Sequence, residues 1–146
     1  MVFGSFDPLH EGHRSLFRQA RRHGDELVVV LALDSSIRRL KGRAPFQLEE
    51  ERLERVKAEP LVDEAVLGDA EDFLKVVGRF KPDVLLLGYD QEVYEEEVLR
   101  RELAARGLHP EIKRAVAFKP GTYKSRLLRR QGRRVEGLDV KRWDGG

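Results

Sequence analysis

The sequence predicts an α/β fold, an open and mainly parallel five-stranded sheet with helices on both faces. Three observations predict it. Short apolar runs alternate with helix-like amphipathic segments along the chain, the pattern of strand–helix–strand units. The runs Leu27-Val28-Val29-Val30-Leu31-Ala32-Leu33 and Val84-Leu85-Leu86-Leu87 are apolar without alternation, as strands covered on both faces are. The 146 residues are enough for one domain with a real core and contain no internal repeat or linker. We read residues 1–134 as that domain and residues 135–146 as a loose tail, sparse in apolar residues, with Trp143 placed to dock it.

Each element has its own reason. Only Met1-Val2-Phe3 precede the first loop, so the first strand is a stub or begins upstream, a strand usually running ~5–6 residues. A helix is predicted over residues 12–23, with Leu16, Phe17 and Ala20 as its apolar stripe. Arg21, Arg22 and His23 complement the dipole in its last turn and Gly24 stops it, which makes His23 a helix-end cation rather than a catalyst. After the second strand, Asp34-Ser35-Ser36 offers a cap to a short helix that runs into the basic loop Lys41-Gly42-Arg43-Ala44-Pro45. Residues 48–58 are read as a helix, residues 62–68 as holding a short third strand, and residues 71–80 as a helix ended by Lys81-Pro82. The fourth strand, Val84-Leu85-Leu86-Leu87, stops at Gly88-Tyr89-Asp90-Gln91. Residues 93–106 begin acidic and end basic, the charge order a helix dipole favours. Residues 111–118 alternate and read as an edge-type strand, and residues 123–131 as a last helix.

Composition narrows the class. A charged fraction of 37% against 40% hydrophobic describes a soluble chain with a heavily ionised surface. The absence of cysteine excludes a disulfide scaffold and fits a reducing cytoplasm. No apolar run approaches the ~20 residues of a membrane span, and no secretory signal is read at the start. A formal net charge of +2 does not by itself call for a nucleic acid partner.

The chemistry concentrates in Gly4-Ser5-Phe6-Asp7-Pro8-Leu9-His10-Glu11-Gly12-His13, between the first strand and the first helix. A helix start has backbone N–H groups without internal partners, and the macrodipole adds about half a positive charge there, so this turn is a ready anion site. Gly4 allows a ligand close to the backbone, and Asp7 before Pro8 is held extended. His10 and His13, three apart, fall on one side of the turn, where two imidazoles suit a triphosphate. A zinc site is disfavoured, because there is no Cys and only four His to complete a ligand set.

The same ten residues resemble the G-x-F-D-x-x-H-x-G-H signature of the cytidylyltransferase-like nucleotidyltransferases at every defined position. The fold this implies is Rossmann-like, and the activity is transfer of a nucleotide to a phosphate-bearing acceptor with release of pyrophosphate. Within that superfamily the chain is most similar to the archaeal type of FAD synthase, an FMN adenylyltransferase. The similarity includes Lys41-Gly42-Arg43-x-Pro45, Glu49-Glu50-x-Arg52, Val62-Asp63-x-Ala65-x-Leu67-Gly68, Lys81-Pro82-Asp83 and Leu87-Gly88-Tyr89-Asp90-Gln91. It implies that His10 and His13 donate to phosphate oxygens and that Gly4, Ser5 and Phe6 supply backbone contacts to the nucleotide. Gly88, Tyr89 and Asp90 would sit near ribose and base. Lys41 would meet the acceptor phosphate and assist catalysis, with Asp7 and Arg52 also on the acceptor side. The late segment Gly121-Thr122-Tyr123-Lys124-Ser125-Arg126-Leu127 occupies the place of a Ser/Thr-rich nucleotide-binding motif. Ser125 and Arg126 match it, and Tyr123 and Lys124 depart from it. Mg²⁺ would ride on the triphosphate rather than on protein ligands. ATP and FMN are the expected substrates and a homodimer the expected assembly. The runner-up is a glycerol-3-phosphate cytidylyltransferase-like enzyme, with CTP and a small phosphorylated alcohol. A reading from a different class is a nucleotide- or RNA-binding module that uses the wholly basic charges between Lys119 and Arg134.

Overall fold

A computed structural model describes residues 1–88 and 95–118 of the chain. Tyr89, Asp90, Ser125 and Arg126, the basic segment from Lys119 to Arg134, the predicted last helix and the tail with Trp143 lie outside the described residues. The element order is β1 (Val2–Gly4), α1 (Glu11–Arg21), β2 (Val28–Leu31), α2 (Asp34–Lys41), α3 (Glu49–Lys57), β3 (Glu64–Leu67), α4 (Lys75–Phe80), β4 (Val84–Leu87), α5 (Glu96–Ala105) and β5 (Glu111–Arg114).

Every strand pairing is parallel: Val2 lies opposite Val29, Val29 opposite Ala65, and Leu85 opposite Ile112. A three-stranded sheet, β1-β2-β3, and a two-stranded sheet, β4-β5, meet at Met1. There the Met1 amino group donates to Val84 O at 2.9 Å, and Leu86 N donates to Met1 O at 3.0 Å. The strands therefore run in the order β3-β2-β1-β4-β5, and the chain changes direction across the sheet between β1 and β4. In such sheets the crevice beyond the carboxyl ends of the strands at that reversal is where ligands bind. The loops after β1 and β4 both leave from it.

Alternation along the strands builds the two covered faces. Phe3, Val30, Leu85 and Leu87 pack with Val76 and Val77 of α4 and Leu99 and Leu103 of α5. Val2, Val29, Ala65 and Leu86 pack on the opposite face with Phe17 of α1 and Val56 of α3. The unbroken apolar strands of the sequence are thus explained by a sheet buried on both sides, as predicted.

Among the differences from the prediction, the following have a local reason. The helix predicted from residue 71 begins at Lys75. The Asp69 carboxylate takes the Glu71 and Asp72 N–H groups and Asp72 takes that of Leu74, a carboxylate-capped turn that competes with helix. The last described strand ends at Arg114 rather than near residue 118, where its pairing with β4 reaches Leu87. After Ala115 N meets Leu87 O, Val116 instead exchanges two hydrogen bonds with the Gln19 amide of α1. Asp34 is not the cap of α2; that position falls to Leu33, which makes no side-chain cap bond.

Leu85, 1% exposed in β4, packs against α4 and α5 away from the β1 loop. Leu85→Ala is expected to destabilise the fold by about 2–5 kcal/mol through lost burial and a residual cavity. Urea denaturation followed by circular dichroism measures it.

Candidate active site

The site is assembled where β1 gives way to α1. Phe6 has φ of 51°, a left-handed conformation costly for a bulky side chain. Packing holds it there: Phe6 is 1% exposed, edge-on to His13 at 4.8 Å between centroids and tilted on Phe17 at 5.6 Å. Its ring folds back under Gly4, where a Cβ would lie 2.7 Å from Phe6 Cζ. This ring alone is enough to require glycine at position 4. Ser5 is buried and its carbonyl faces inward.

The two histidines are bound into the helix start. His10 is the extended N-cap of α1, and its Nδ1 accepts from Gly12 N at 3.0 Å. His13 reaches back so that its Nδ1 accepts from His10 N at 3.1 Å. The rings stack at 3.7 Å between centroids. A Cβ at Gly12 would come within 2.9 Å of His10 Cε1, so the pair needs glycine there. Each Nδ1 is used as an acceptor, and a neutral imidazole then carries its proton on Nε2. Both side chains are accordingly Nε2–H donors. His13 is 7% exposed, and its Nε2 has no hydrogen-bond partner among the described residues. A buried donor at a helix N-terminus that no described residue uses is a feature an incoming anion satisfies.

Electrostatics keep the pair neutral. Burial pushes the His13 pKa well below its ordinary 6.5, and His10, Lys41 and Arg14 push it the same way. His10 is exposed at its outer edge, but desolvation of its inner face, then Arg14, also lower its pKa, with Glu11 opposing. Lys41, the last residue of α2, is thus close enough for its charge to act on His13. Gly42 after it adopts φ of 72°, the left-handed stop that glycine supplies cheaply.

Two predicted acceptor contacts have other duties. Arg52 is fully buried and its guanidinium is committed to the protein. It donates to Ser5 O at 2.9 Å, Ala32 O at 2.8 Å, Gln47 O at 3.0 Å and Asp34 Oδ1 at 2.7 Å. It thus ties the loops after β1 and β2 to α2 and to the segment before α3, rather than lying open to a phosphate. Asp7, with a side chain 1% exposed, accepts from Phe46 N and Gln47 N, both at 2.8 Å. Its carboxylate lashes the β1 loop to residues 46–47 and is not open to an acceptor. Gly88 follows β4 at the reversal point, beside the end of β1, and its carbonyl accepts from Arg114 at 3.0 Å. Asp34 and Gln47 were missed as parts of this framework. Their partners lie 18 and 40 residues away, so no local spacing announces them.

The model of the cytidylyltransferase-like family matches residues 1–131. The FAD synthase of Ferroglobus placidus (strain DSM 10642 / AEDII12DO) is 43% identical over 111 residues, 76% of this chain and 71% of that protein. The crystal structure of a lipopolysaccharide core biosynthesis protein from Thermoplasma volcanium GSS1 superposes with a TM-score of 0.78 at 38% identity, covering 82% of this chain and 96% of that one.

The lowered histidine pKa values fix the sign of a pH effect. Below 6.5 the unfolded chain binds protons that the folded His13 and His10 resist, so stability is full above that pH and falls as pH drops toward the folded values. We expect the urea midpoint to fall between about pH 7.5 and pH 5, and the fall to be smaller in His13→Ala. Equal falls in both proteins would show that His13 is not buried neutral.

Proposed function

This chain belongs to the cytidylyltransferase-like family of nucleotidyltransferases, and from that premise we propose that it transfers AMP from ATP to FMN, giving FAD and pyrophosphate. The observation that carries the reading is the pair of Nε2–H donors at the N-terminus of α1, one of them buried and without a partner among the described residues. The name of the 43% identical relative supports FMN as acceptor.

The chemistry asks little covalent help of the protein. An oxygen of the FMN phosphate is already an anionic nucleophile. It attacks the α-phosphorus of ATP; the new P–O bond forms as the bond to pyrophosphate breaks, and pyrophosphate leaves with the electron pair. No proton has to be removed first. The work left to the protein is alignment and stabilisation of negative charge in a partly desolvated site. His10 and His13 do this as neutral donors, at positions set by their Nδ1 bonds to the backbone. The dipole of α1 adds to the same field. Lys41 supplies positive charge beside them and offsets repulsion between the incoming phosphate and the donor. Among the described residues no group of three carboxylates or histidines could hold a metal. Mg²⁺ would come on the triphosphate, with phosphate oxygens and water as its ligands, and would neutralise charge there. A homodimer belongs to the same proposal, with the edge of β3 that is unpaired among the described residues as its contact. A groove of about 410 Å³, lined among others by Val62, Ala65 and Val66, runs there, at the far edge of the sheet from β4 and β5.

Incubation with Mg²⁺, either ATP or CTP, and either FMN or glycerol-3-phosphate, read by mass spectrometry, tests the assignment. FAD and pyrophosphate from ATP and FMN are expected. A glycerol-linked cytidine diphosphate from the other pair would replace this reading with the small-acceptor one. His10→Ala and His13→Ala should each lower kcat roughly 10²–10³-fold, the usual loss for one donor to a developing charge. ATP affinity should change much less. Near wild-type turnover in either variant would remove that histidine from the mechanism.

A further inference from the structure

Beside the histidine turn the chain exposes a ring that the core does not use. Phe46 is 73% exposed, and Leu40 and Leu48, near it in sequence, are 56% and 54% exposed. An exposed phenylalanine alone would mean little, but this one is anchored to the site. Its backbone N–H is held by the buried Asp7 carboxylate, three residues before His10 in the β1 loop. The next residue, Gln47, is held by the other oxygen of the same carboxylate and by Arg52. The ring therefore stands at the end of a segment as fixed as the histidine turn itself.

One face of the ring is already taken. The Arg43 guanidinium lies over it at 4.4 Å from the centroid, and the same group is 3.9 Å from Asp7 Oδ2 and donates to Ala44 O at 2.8 Å. Arg43 is thus held from three sides in a cation–π contact, which orients the ring. With Arg43 on that face and the residue still largely exposed, the opposite face is the one left to a partner. Lys41 and Arg43 give the same loop positive charge. A flat apolar face beside cations, tethered to a phosphate-binding turn, matches a molecule with a planar ring system at one end and a phosphate at the other.

We propose that the open face of Phe46 is the stacking platform for the ring system of the acceptor, and that Phe46 thereby determines specificity for a planar aromatic phosphate over a small phosphorylated alcohol. This rests on the reading of FMN as acceptor and deepens it. Stacking on one aromatic side chain is sequence- and substituent-tolerant but demands a flat partner. Phe46 contributes affinity for the acceptor and touches neither the α-phosphorus nor the triphosphate.

Steady-state kinetics with ATP–Mg²⁺ and FMN, with FMN fluorescence titration as an activity-independent readout, test the proposal. Phe46→Ala should raise the KM for FMN roughly tenfold, the size of one lost stacking contact, with kcat and the KM for ATP within about twofold of wild type. Phe46→Trp should restore the KM and quench the fluorescence of bound FMN, whereas Phe46→Leu should not restore it. An unchanged KM for FMN in Phe46→Ala overturns the proposal, as does rescue by leucine equal to that by tryptophan. Dissociation of a dimer in Phe46→Ala by light scattering, without a change in KM, overturns it in favour of a second copy on this patch. If wild-type protein neither binds FMN nor makes FAD, the acceptor reading itself fails and the platform with it. FAD formation by wild type with an indifferent Phe46→Ala sinks the platform alone.

Discussion

The hydrogen bonds from Gly12 N to His10 Nδ1 and from His10 N to His13 Nδ1 constrain the rest of this site. Each satisfies a backbone donor at the start of α1 that the helix cannot satisfy itself. Each also decides where the imidazole keeps its proton. A ring that accepts at Nδ1 must be neutral and must present Nε2–H, so the contact that caps the helix also leaves each ring with an Nε2–H donor. Burial and the charges of Lys41 and Arg14 act in the same direction, disfavouring the imidazolium that would break the cap. Preorganisation of this kind is what transition-state charge stabilisation requires, since donors already oriented need no rearrangement when charge develops.

That turn holds its shape because other elements grip it from below. Arg52 donates to carbonyls of the loops after β1 and β2 and to Asp34, so a single buried cation couples two strand ends to α2 and the start of α3. Breaking such a buried pair usually costs far more than the pair contributes against an apolar substitute, and its function is to specify one arrangement. Asp7 performs the complementary task with an anion, holding residues 46–47 against the β1 loop. The left-handed Phe6 lies between these two anchors, and the cis Asp7–Pro8 peptide follows the second. The reversal of strand order between β1 and β4 sets this assembly at the carboxyl ends of the strands.

How much of this was legible follows from the range of each interaction. Strand and helix identities were readable because alternation and apolar runs are local signals, and the two-sided burial of 28–31 and 84–87 was visible as unbroken apolarity. The histidine turn was readable because motif, glycine and helix start are contiguous in sequence. The roles of Arg52 and Asp7 were not. A charged residue's sequence neighbours do not say whether it meets a ligand or four protein acceptors. The partners here are 5 to 47 residues distant. The start of α4 was misplaced because a carboxylate turn at Asp69 outcompetes a helical pattern that is otherwise intact. Phe46 gave no signal, because a single phenylalanine in a loop reads as core until its exposure and the Arg43 contact are seen.

The central claim, that His10 and His13 are neutral donors fixed by their caps, is tested most directly by long-range ¹H–¹⁵N NMR of the histidine rings in ¹⁵N-labelled protein at about pH 7. The account predicts Nε2–H tautomers with unprotonated Nδ1 for both residues, and movement of the Nε2 resonances when ATP–Mg²⁺ is added. An Nδ1–H tautomer or an imidazolium at either residue would contradict it.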